Sequence, residues 1–298
     1  MTIDAATAAA RVAALPIWRG PIDPQPLGGG MTNQNFTVED AGRRCVVRIG
    51  EDVPEHGLMR FAELAASQAA ARAGISPEAI HHEPGVLVID FIEGRTLTPE
   101  DIQTREMQQR IVPLLKRCHR DMQRHLRGPA LMFWVFHVLR DYSHRLAEAG
   151  HRHIGKLGDW SKAAARMEAR IGPIDLVFGH NDLLAANFID DGRKLWLLDW
   201  DYGGFNSPLF DLGGLASNNE LTEDDRLFVL EAYFERPVDD QLRLSSQAML
   251  TASLLREAMW SMVAELFSKI EVDFVAYTEE NLQRFERAMQ RFDELDRA

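Results

Sequence analysis

Patterns typical of strands and patterns typical of helices occupy different parts of this sequence, and that segregation limits the folds open to it. Apolar residues alternate with polar ones around residues 36–38, and apolar runs at 45–49 and 86–92 have the length of strands. A helical pattern between residues 56 and 73 separates these two runs. The sequence therefore predicts a small antiparallel meander with one helix near the N-terminus.

Helical patterns dominate from Thr98 onward, and Pro99 is well placed at the first position of a helix. We therefore predict an α+β protein of two lobes. A small antiparallel-sheet lobe would span residues 1–93, and a larger, mostly helical lobe would span residues 94–298. The two lobes would meet at a hinge near residues 90–94.

The composition argues against several classes of protein. The chain has 298 residues, a formal net charge of −12 and a pI near 5.3, which argues against nucleic acids and anionic membrane surfaces as partners. No apolar run approaches the roughly 18 residues of a membrane span, and the alanine-rich N-terminus lacks the basic start of a signal peptide. We expect a cytoplasmic protein without membrane insertion. Cys45 and Cys118 are expected to be buried thiols, because two distant cysteines do not make a disulfide framework.

One segment interrupts the helical pattern of the C-terminal part. Short apolar runs at 175–178 and 195–198 flank a polar centre that contains Asp182 and Asn187, and Asp199 directly follows the second run. Asp and Asn often do no more than cap turns, but that role does not explain this spacing between two strand-like runs. A hairpin between the runs would bring Asp199 back beside Asn187.

These three residue types match the needs of phosphoryl transfer. The reaction uses a carboxylate that orients and deprotonates the attacking hydroxyl, and oxygen ligands for the magnesium ion that bridges the ATP phosphates. An Asp followed five residues later by an Asn can supply the base and one ligand from a single loop. We therefore predict Asp182 as the catalytic base and Asn187 and Asp199 as metal ligands.

The same segment resembles a known family. The sequence His-Asn-Asp-Leu-x-x-x-Asn begins at His180, and Leu-Asp-Trp-Asp-Tyr-Gly-Gly-Phe-Asn-Ser-Pro-Leu-Phe-Asp ends at Asp211. Both are similar to motifs of the choline/ethanolamine kinase family, which is grouped with the aminoglycoside phosphotransferases and is distantly similar to protein kinases. The resemblance extends from Gly28 to about Phe285. It implies a protein-kinase-like fold, ATP and Mg²⁺ as cofactors, and a small cationic alcohol, choline or ethanolamine, as substrate.

The resemblance also implies nucleotide-binding residues. The glycine-rich segment that begins at Gly28 corresponds to a loop whose backbone amides cover the phosphates, and Arg48 takes the place of the strand lysine of protein kinases. Glu63 would be the acidic partner of Arg48, and the segment after the third strand would contact adenine through its backbone. The predicted nucleotide residues are Gly28, Gly29, Gly30, Thr32, Asn33, Arg48, Glu63, Asp90 and Ile92.

Two further residues resemble the family's supports for the catalytic loop. Asp211 is expected to steady that loop, and His180 is expected to bond to the loop backbone without taking a chemical step. Asp201 stands where eukaryotic choline kinases often have Glu, and would either assist a second metal ion or shape the loop.

Residues 253–260 and 273–277 resemble the C-terminal choline-pocket segment of the family. Tyr202, Trp260 and Tyr277 are candidate walls of that pocket, because aromatic faces attract quaternary ammonium groups. The sequence departs from the family here: Glu257 stands where eukaryotic members have a second Trp, and residues 218–219 are both Asn where those members have Glu-Trp. Two alternatives therefore stay open. The acceptor is another small cation, such as an aminoglycoside or thiamine, or the chain is a nucleotide-binding module without turnover. A homodimer is compatible with the sequence but is not indicated by it.

Overall fold

The computed structural model describes residues 4–28, 33–268 and 272–297 and has the predicted α+β architecture, a small antiparallel sheet beside a larger helical part. The strands are β1 (Gln25–Leu27), β2 (Gln34–Asp40), β3 (Arg43–Ile49), β4 (Ala79–Glu83), β5 (Val86–Asp90), β6 (Arg95–Thr96), β7 (Val177–Gly179), β8 (Phe188–Asp190), β9 (Leu195–Leu197) and β10 (Gly204–Asn206). The helices are α1 (Ala5–Ala13), α2 (Arg60–Arg72), α3 (Pro99–Ile102), α4 (Arg105–His125), α5 (Val135–Glu148), α6 (Leu157–Ala169), α7 (Pro208–Asn218), α8 (Glu223–Phe234), α9 (Asp240–Phe267) and α10 (Phe274–Arg297).

The N-terminal sheet has five antiparallel strands in the order β1-β2-β3-β5-β4. The three predicted strands are its central members. The edge strands β1 and β4 were not predicted, because β1 is exposed along its whole length and β4 contains two histidines and a glutamate. Edge strands with polar side chains give no alternating apolar signal.

The alternation of side chains gives this sheet two different faces. Cys45, Val47 and Ile49 of β3 point to a small core that α1 closes with Ala8 and Val12. The intervening residues of β3 point to the opposite face, since successive side chains in a strand alternate. Arg48 therefore lies on the face that looks toward the helical part of the chain.

Helix α2 begins later than the sequence predicted. The chain forms a short 3₁₀ turn at Pro54–His56, and Gly57 then adopts a left-handed φ of +69°. The expected helix start at residue 56 is therefore wrong, because the turn must close before α2 begins at Arg60. The end of the helix is as predicted, with Gly74 at a φ of +70° just beyond the capping residue.

The polar segment between residues 177 and 206 forms two small antiparallel pairings. Strands β8 and β9 make the predicted hairpin, with the turn at residues 191–194, and the Leu198 amide donates to the Asn187 carbonyl at 2.9 Å. Strand β6 joins this hairpin beside β8, and β7 pairs with β10. Gly94 is required before β6, because a Cβ atom there would lie 2.7 Å from the Asp190 carbonyl oxygen.

The helical part is built around the long helix α9, which packs against α5, α7 and α10. Within the described ranges, none of the helices combines the length and the apolar composition that crossing a bilayer requires. Helices α7 and α9 approach so closely that a Cβ atom on Gly213 would lie 2.9 Å from the Leu250 backbone nitrogen. A Cβ atom on the neighbouring Gly214 would meet nothing nearer than the Ser253 hydroxyl at 3.8 Å.

These two glycines offer a matched test of the α7–α9 contact. We expect Gly213→Ala to lower the free energy of unfolding by about 1–3 kcal/mol, because the new methyl group overlaps backbone that cannot turn aside. Gly214→Ala should be neutral or should stabilise by up to about 1 kcal/mol, since Ala is the better helix former and the space is open. Denaturant unfolding of both variants measures the difference, and equal effects would contradict the packing described.

Candidate active site

A cavity of about 390 Å³ lies between the inner face of the N-terminal sheet and the β8–β9 hairpin. Its walls are mostly apolar, while Arg48, Asn187 and Asp199 lie together at one end, which we call the polar end. An apolar wall suits adenine, and charged and amide groups suit the phosphates of a nucleotide. Of the residues predicted to bind nucleotide or metal, those that line this cavity are Gly28, Arg48, Asp90, Ile92, Asn187 and Asp199.

Three predicted residues of the glycine-rich loop, Gly29, Gly30 and Thr32, lie outside the described residues. Asn33 follows them, and its side-chain amide donates to the Asp201 carboxylate at 3.2 Å. This contact ties the end of the loop to the segment just after Asp199.

The loop that carries Asp182 is held by a buried carboxylate beneath it. Asp211, in the first turn of α7, accepts hydrogen bonds from the backbone amides of His180 at 2.8 Å and Asn181 at 2.7 Å. His119 of α4 also donates to Asp211 at 2.9 Å and is itself bonded to the Tyr233 hydroxyl. Burial alone would raise the pKa of the Asp211 carboxyl, but these donors outweigh it, and the pKa is lowered.

Two side chains shape the loop above Asp211. Asn181 has a φ of +67°, a left-handed conformation that Asn tolerates better than most residues. His180 donates from Nε2 to the Leu198 carbonyl at 2.8 Å and accepts from the Asp182 amide at Nδ1 at 3.3 Å. The imidazole therefore bridges the start of the loop and the residue before Asp199, and both of its nitrogens are used in doing so.

A hydrogen bond fixes Asp182 and Asn187 relative to each other. The side-chain amide of Asn187 donates to the backbone carbonyl oxygen of Asp182 at 2.9 Å. Within the described part of the chain, no side chain donates a hydrogen bond to the Asp182 carboxylate, which leaves it able to accept one from a substrate. Burial raises the pKa of this carboxyl to about 8, with the charges of Glu257 and Asp199 adding to the shift and Arg256 opposing it.

Asn187 and Asp199 are suited to a magnesium ion. The Asn187 amide nitrogen is occupied by the Asp182 carbonyl, which leaves the side-chain oxygen as the available ligand atom. The Oδ1 atom of Asp199 is buried without a hydrogen bond to a described residue, although Arg48 Nη2 lies 2.7 Å away. This arrangement is a charge contact with poor hydrogen-bond geometry. Amide and carboxylate oxygens are the ligand types that Mg²⁺ prefers.

Arg48 is the centre of a charge network at the polar end of the cavity. It contacts Glu63 at 2.5 Å, Asp199 at 2.7 Å and Asp201 at 3.3 Å. Arg60, at the start of α2, contacts the same Glu63 at 2.7 Å and Asp201 at 2.9 Å. Arg60 is not among the residues predicted from the sequence, although its position one helical turn before Glu63 was a usable signal.

The three predicted aromatic residues lie together, with Trp260 in contact with both tyrosines. The Trp260 indole donates to the Tyr202 hydroxyl at 2.9 Å, and the Trp260 and Tyr277 rings meet edge to face with centroids 6.5 Å apart. The Tyr277 hydroxyl donates to Glu257 at 2.8 Å. The guanidinium of Arg256 lies over the Tyr202 ring, 4.4 Å from its centroid.

Arg256 is a further residue that was not predicted from the sequence. It lies one helical turn before Trp260 on α9, so that both side chains project from the same face of the helix. The spacing from Trp260 predicts that Arg256 faces the same pocket, but it does not predict the Tyr202 ring that Arg256 covers. His56 was also missed; its ring stacks on Trp260 with centroids 5.0 Å apart.

Comparison with known proteins places this architecture among the kinase-like phosphotransferases. A choline/ethanolamine kinase family protein from Mesorhizobium loti superposes with a TM-score of 0.78, 26% identity and 97% coverage of both chains. The choline kinase LicA from Streptococcus pneumoniae gives a TM-score of 0.74 at 22% identity, covering 95% of this chain and 98% of that one. A spectinomycin phosphotransferase shares the fold with a TM-score of 0.63 at 12% identity, covering 97% of this chain and 100% of that one.

The sequence comparisons identify the family within that class. The choline/ethanolamine kinase family model matches residues 25–226, and the chain therefore belongs to that family. Protein LicA of Haemophilus influenzae is 29% identical over 69% of this chain and 61% of its own length. A probable ethanolamine kinase of Arabidopsis thaliana is 24% identical over 84% of this chain and 75% of its own length. The predicted family and kinase-like fold are confirmed.

Because the pKa of Asp182 is raised in the folded protein, we expect the ionised form of this carboxyl to lower the free energy of unfolding. An unfolded aspartate ionises near pH 3.8 and the folded one near pH 8. The penalty is therefore absent below pH 4, grows as the pH rises and is complete above pH 8. Asp182→Asn should be more stable than wild type, with an advantage that grows between pH 5 and pH 8 by up to about 4 kcal/mol, since each pH unit between the two pKa values contributes about 1.4 kcal/mol. Thermal unfolding over that range measures the effect.

Asp211→Asn is the matched control. Its carboxylate is buried and hydrogen-bonded, with a lowered pKa, so the variant should lose stability at neutral pH. An Asp182→Asn variant that was less stable than wild type at every pH would show that Asp182 supports the fold as Asp211 does.

Proposed function

We propose that this chain is an ATP-dependent phosphotransferase that moves the γ-phosphate of ATP to the hydroxyl of a small amino alcohol of the choline and ethanolamine class. One observation carries the proposal. The Asp182 carboxylate has no side-chain donor among the described residues, and a hydrogen bond fixes its backbone to Asn187 at the polar end of the cavity. Membership of the choline/ethanolamine kinase family supports the class of acceptor.

Different residues of the chain would bind the adenine and the phosphates of ATP. The cavity would hold adenine between the apolar residues of the sheet and Ile189 of the hairpin, with the backbone of residues 90–92 at its edge. This segment would be the hinge between an N-terminal lobe at residues 1–93 and a C-terminal lobe at residues 94–298. Arg48, fixed by Glu63, would present its guanidinium to the phosphates.

Asn187 and Asp199 would hold Mg²⁺, which neutralises the negative charge that phosphoryl transfer brings together. Asp182 would accept the proton of the acceptor hydroxyl as that oxygen attacks. Its raised pKa favours this role, because a base with a pKa near the working pH is the most effective. Asp211 and His180 position Asp182 without touching the substrate.

The proposal is tested by alcohol-dependent ADP release. With ATP and Mg²⁺, choline or ethanolamine should raise ADP release above the rate without acceptor. Asp182→Asn should lower that rate by about 10²–10⁴-fold, since general-base catalysis typically contributes this much. Asp159→Asn, on the exposed surface of α6, is the control and should match wild type. Amino alcohols that leave ADP release unchanged, or an Asp182→Asn variant within a few-fold of wild type, would contradict the proposal.

A further inference from the structure

The acceptor end of the site contains a buried cation that belongs to the protein itself. Arg256 is 5% exposed, and one of its terminal nitrogens, Nη1, donates to Glu257 at 2.9 Å. Its guanidinium covers the face of Tyr202, which is the surface a quaternary ammonium group would use. An ammonium ligand at this face would have to displace a like charge. The face of Tyr202 is therefore already occupied by a cation of the protein.

Arg256 also carries hydrogen-bonding capacity that the protein does not use. Its Nε and Nη2 atoms are buried and have no hydrogen-bond partner among the described residues. Buried donors without partners are rare in folded proteins, because each loses its bonds to water and gains nothing in return. Adjacent Nε and Nη2 donors form the edge of a guanidinium that binds a carboxylate through two parallel hydrogen bonds. The unused edge of Arg256 thus has the form of a carboxylate site.

The groups around this edge complete a site of mixed charge. The carboxylate of Glu257 accepts from Arg256 on one oxygen and from the Tyr277 hydroxyl on the other, and both oxygens retain a lone pair for a further donor. The side-chain amide of Asn181, the neighbour of Asp182, donates to the Tyr202 carbonyl at 2.8 Å, and Arg256 lies over the ring of the same tyrosine. The loop that carries Asp182 therefore lies beside this pair. A cation, an anion and the proposed base therefore occupy one corner of the molecule.

We propose that the acceptor of this enzyme is a zwitterionic hydroxy amino acid, with its carboxylate bound by Arg256 and its ammonium group by Glu257. The inference rests on the proposed function and narrows it from amino alcohols in general to those that carry a carboxylate. Since Nε and Nη2 are covered in this structure, the carboxylate meets them after a turn of the guanidinium about the terminal bonds of the side chain. A bare cation offers Arg256 no partner.

The transfer step balances with the groups named. The acceptor hydroxyl oxygen forms a bond to the γ-phosphorus of ATP, and the bond from that phosphorus to the β–γ bridging oxygen breaks. ADP leaves with the bonding electron pair. The hydroxyl proton passes to the Asp182 carboxylate, and the product is a phosphate monoester of the amino acid.

The test compares acceptors that differ by one group. Serine is ethanolamine with a carboxylate added, and homoserine extends serine by one methylene group. ADP release by the full chain is measured with serine, homoserine, ethanolamine and choline. We expect kcat/KM for serine or homoserine to exceed that for ethanolamine by about 10- to 100-fold, the range for hydrogen bonds to a charged group.

Arg256→Met should reduce this preference to near unity, because it removes the charge and keeps the length of the side chain. Arg256→Lys keeps the charge but loses the planar fork and should retain only part of the preference. Arg226→Met is the matched control, since Arg226 also has a buried nitrogen without a partner but lies on α8, bonded to Gln247. It should leave the preference unchanged.

Three outcomes would overturn the inference. Wild type that used ethanolamine or choline as well as either amino acid would refute it and leave the proposed function standing. A preference that survived Arg256→Met would also refute it. Failure of all four alcohols to release ADP would refute the proposed function as well. The wild-type comparison decides the matter even if the Met variant does not fold.

Discussion

The geometry of the site depends above all on the buried carboxylate of Asp211. Its two oxygens accept the backbone amides of His180 and Asn181, and this pair of bonds fixes the loop that carries Asp182. His119 connects the same carboxylate to α4 and, through Tyr233, to α8. A charge in this position costs free energy unless its oxygens are satisfied, so the donors and the carboxylate hold each other in place.

A second network joins the sheet to this loop. Arg48 comes from β3, Glu63 and Arg60 come from α2, and Asp199 and Asp201 follow β9. Alternation along β3 places Arg48 on the inner face of the sheet, where it faces the hairpin. The carboxylates outnumber the guanidiniums in this network, and two of them lie on one short segment. Such an excess of negative charge attracts a further cation, which is consistent with a magnesium ion at Asp199.

Much of this architecture could be predicted from the sequence because it rests on local patterns. The three central strands and the β8–β9 hairpin are marked by apolar runs and turn residues within a few positions of one another. The spacing of Asp182, Asn187 and Asp199 also follows from one continuous segment. The structure places Asn187 and Asp199 on the wall of one cavity and joins the Asp182 backbone to the Asn187 side chain by a hydrogen bond.

The remainder depends on contacts between distant segments. Strands β1 and β4 are defined by their neighbours in the sheet and not by their own side chains. Arg256 looks like one more residue of an apolar helix until Tyr202, some 50 positions earlier in the chain, is placed against it. Chemistry built from such pairs cannot be read from spacing, since tertiary packing alone decides which side chains meet.

The central claim is that Asn187 and Asp199 hold the metal ion while Asp182 stays free to act as the base. The most direct measurement is a crystal structure with a non-hydrolysable ATP analogue and Mn²⁺, whose anomalous signal locates the metal. We predict a peak about 2 Å from an oxygen of each ligand, with the Asp182 carboxylate outside the coordination sphere. A metal bound to Asp182, or bound at Glu63 and Asp201 away from Asp199, would contradict it.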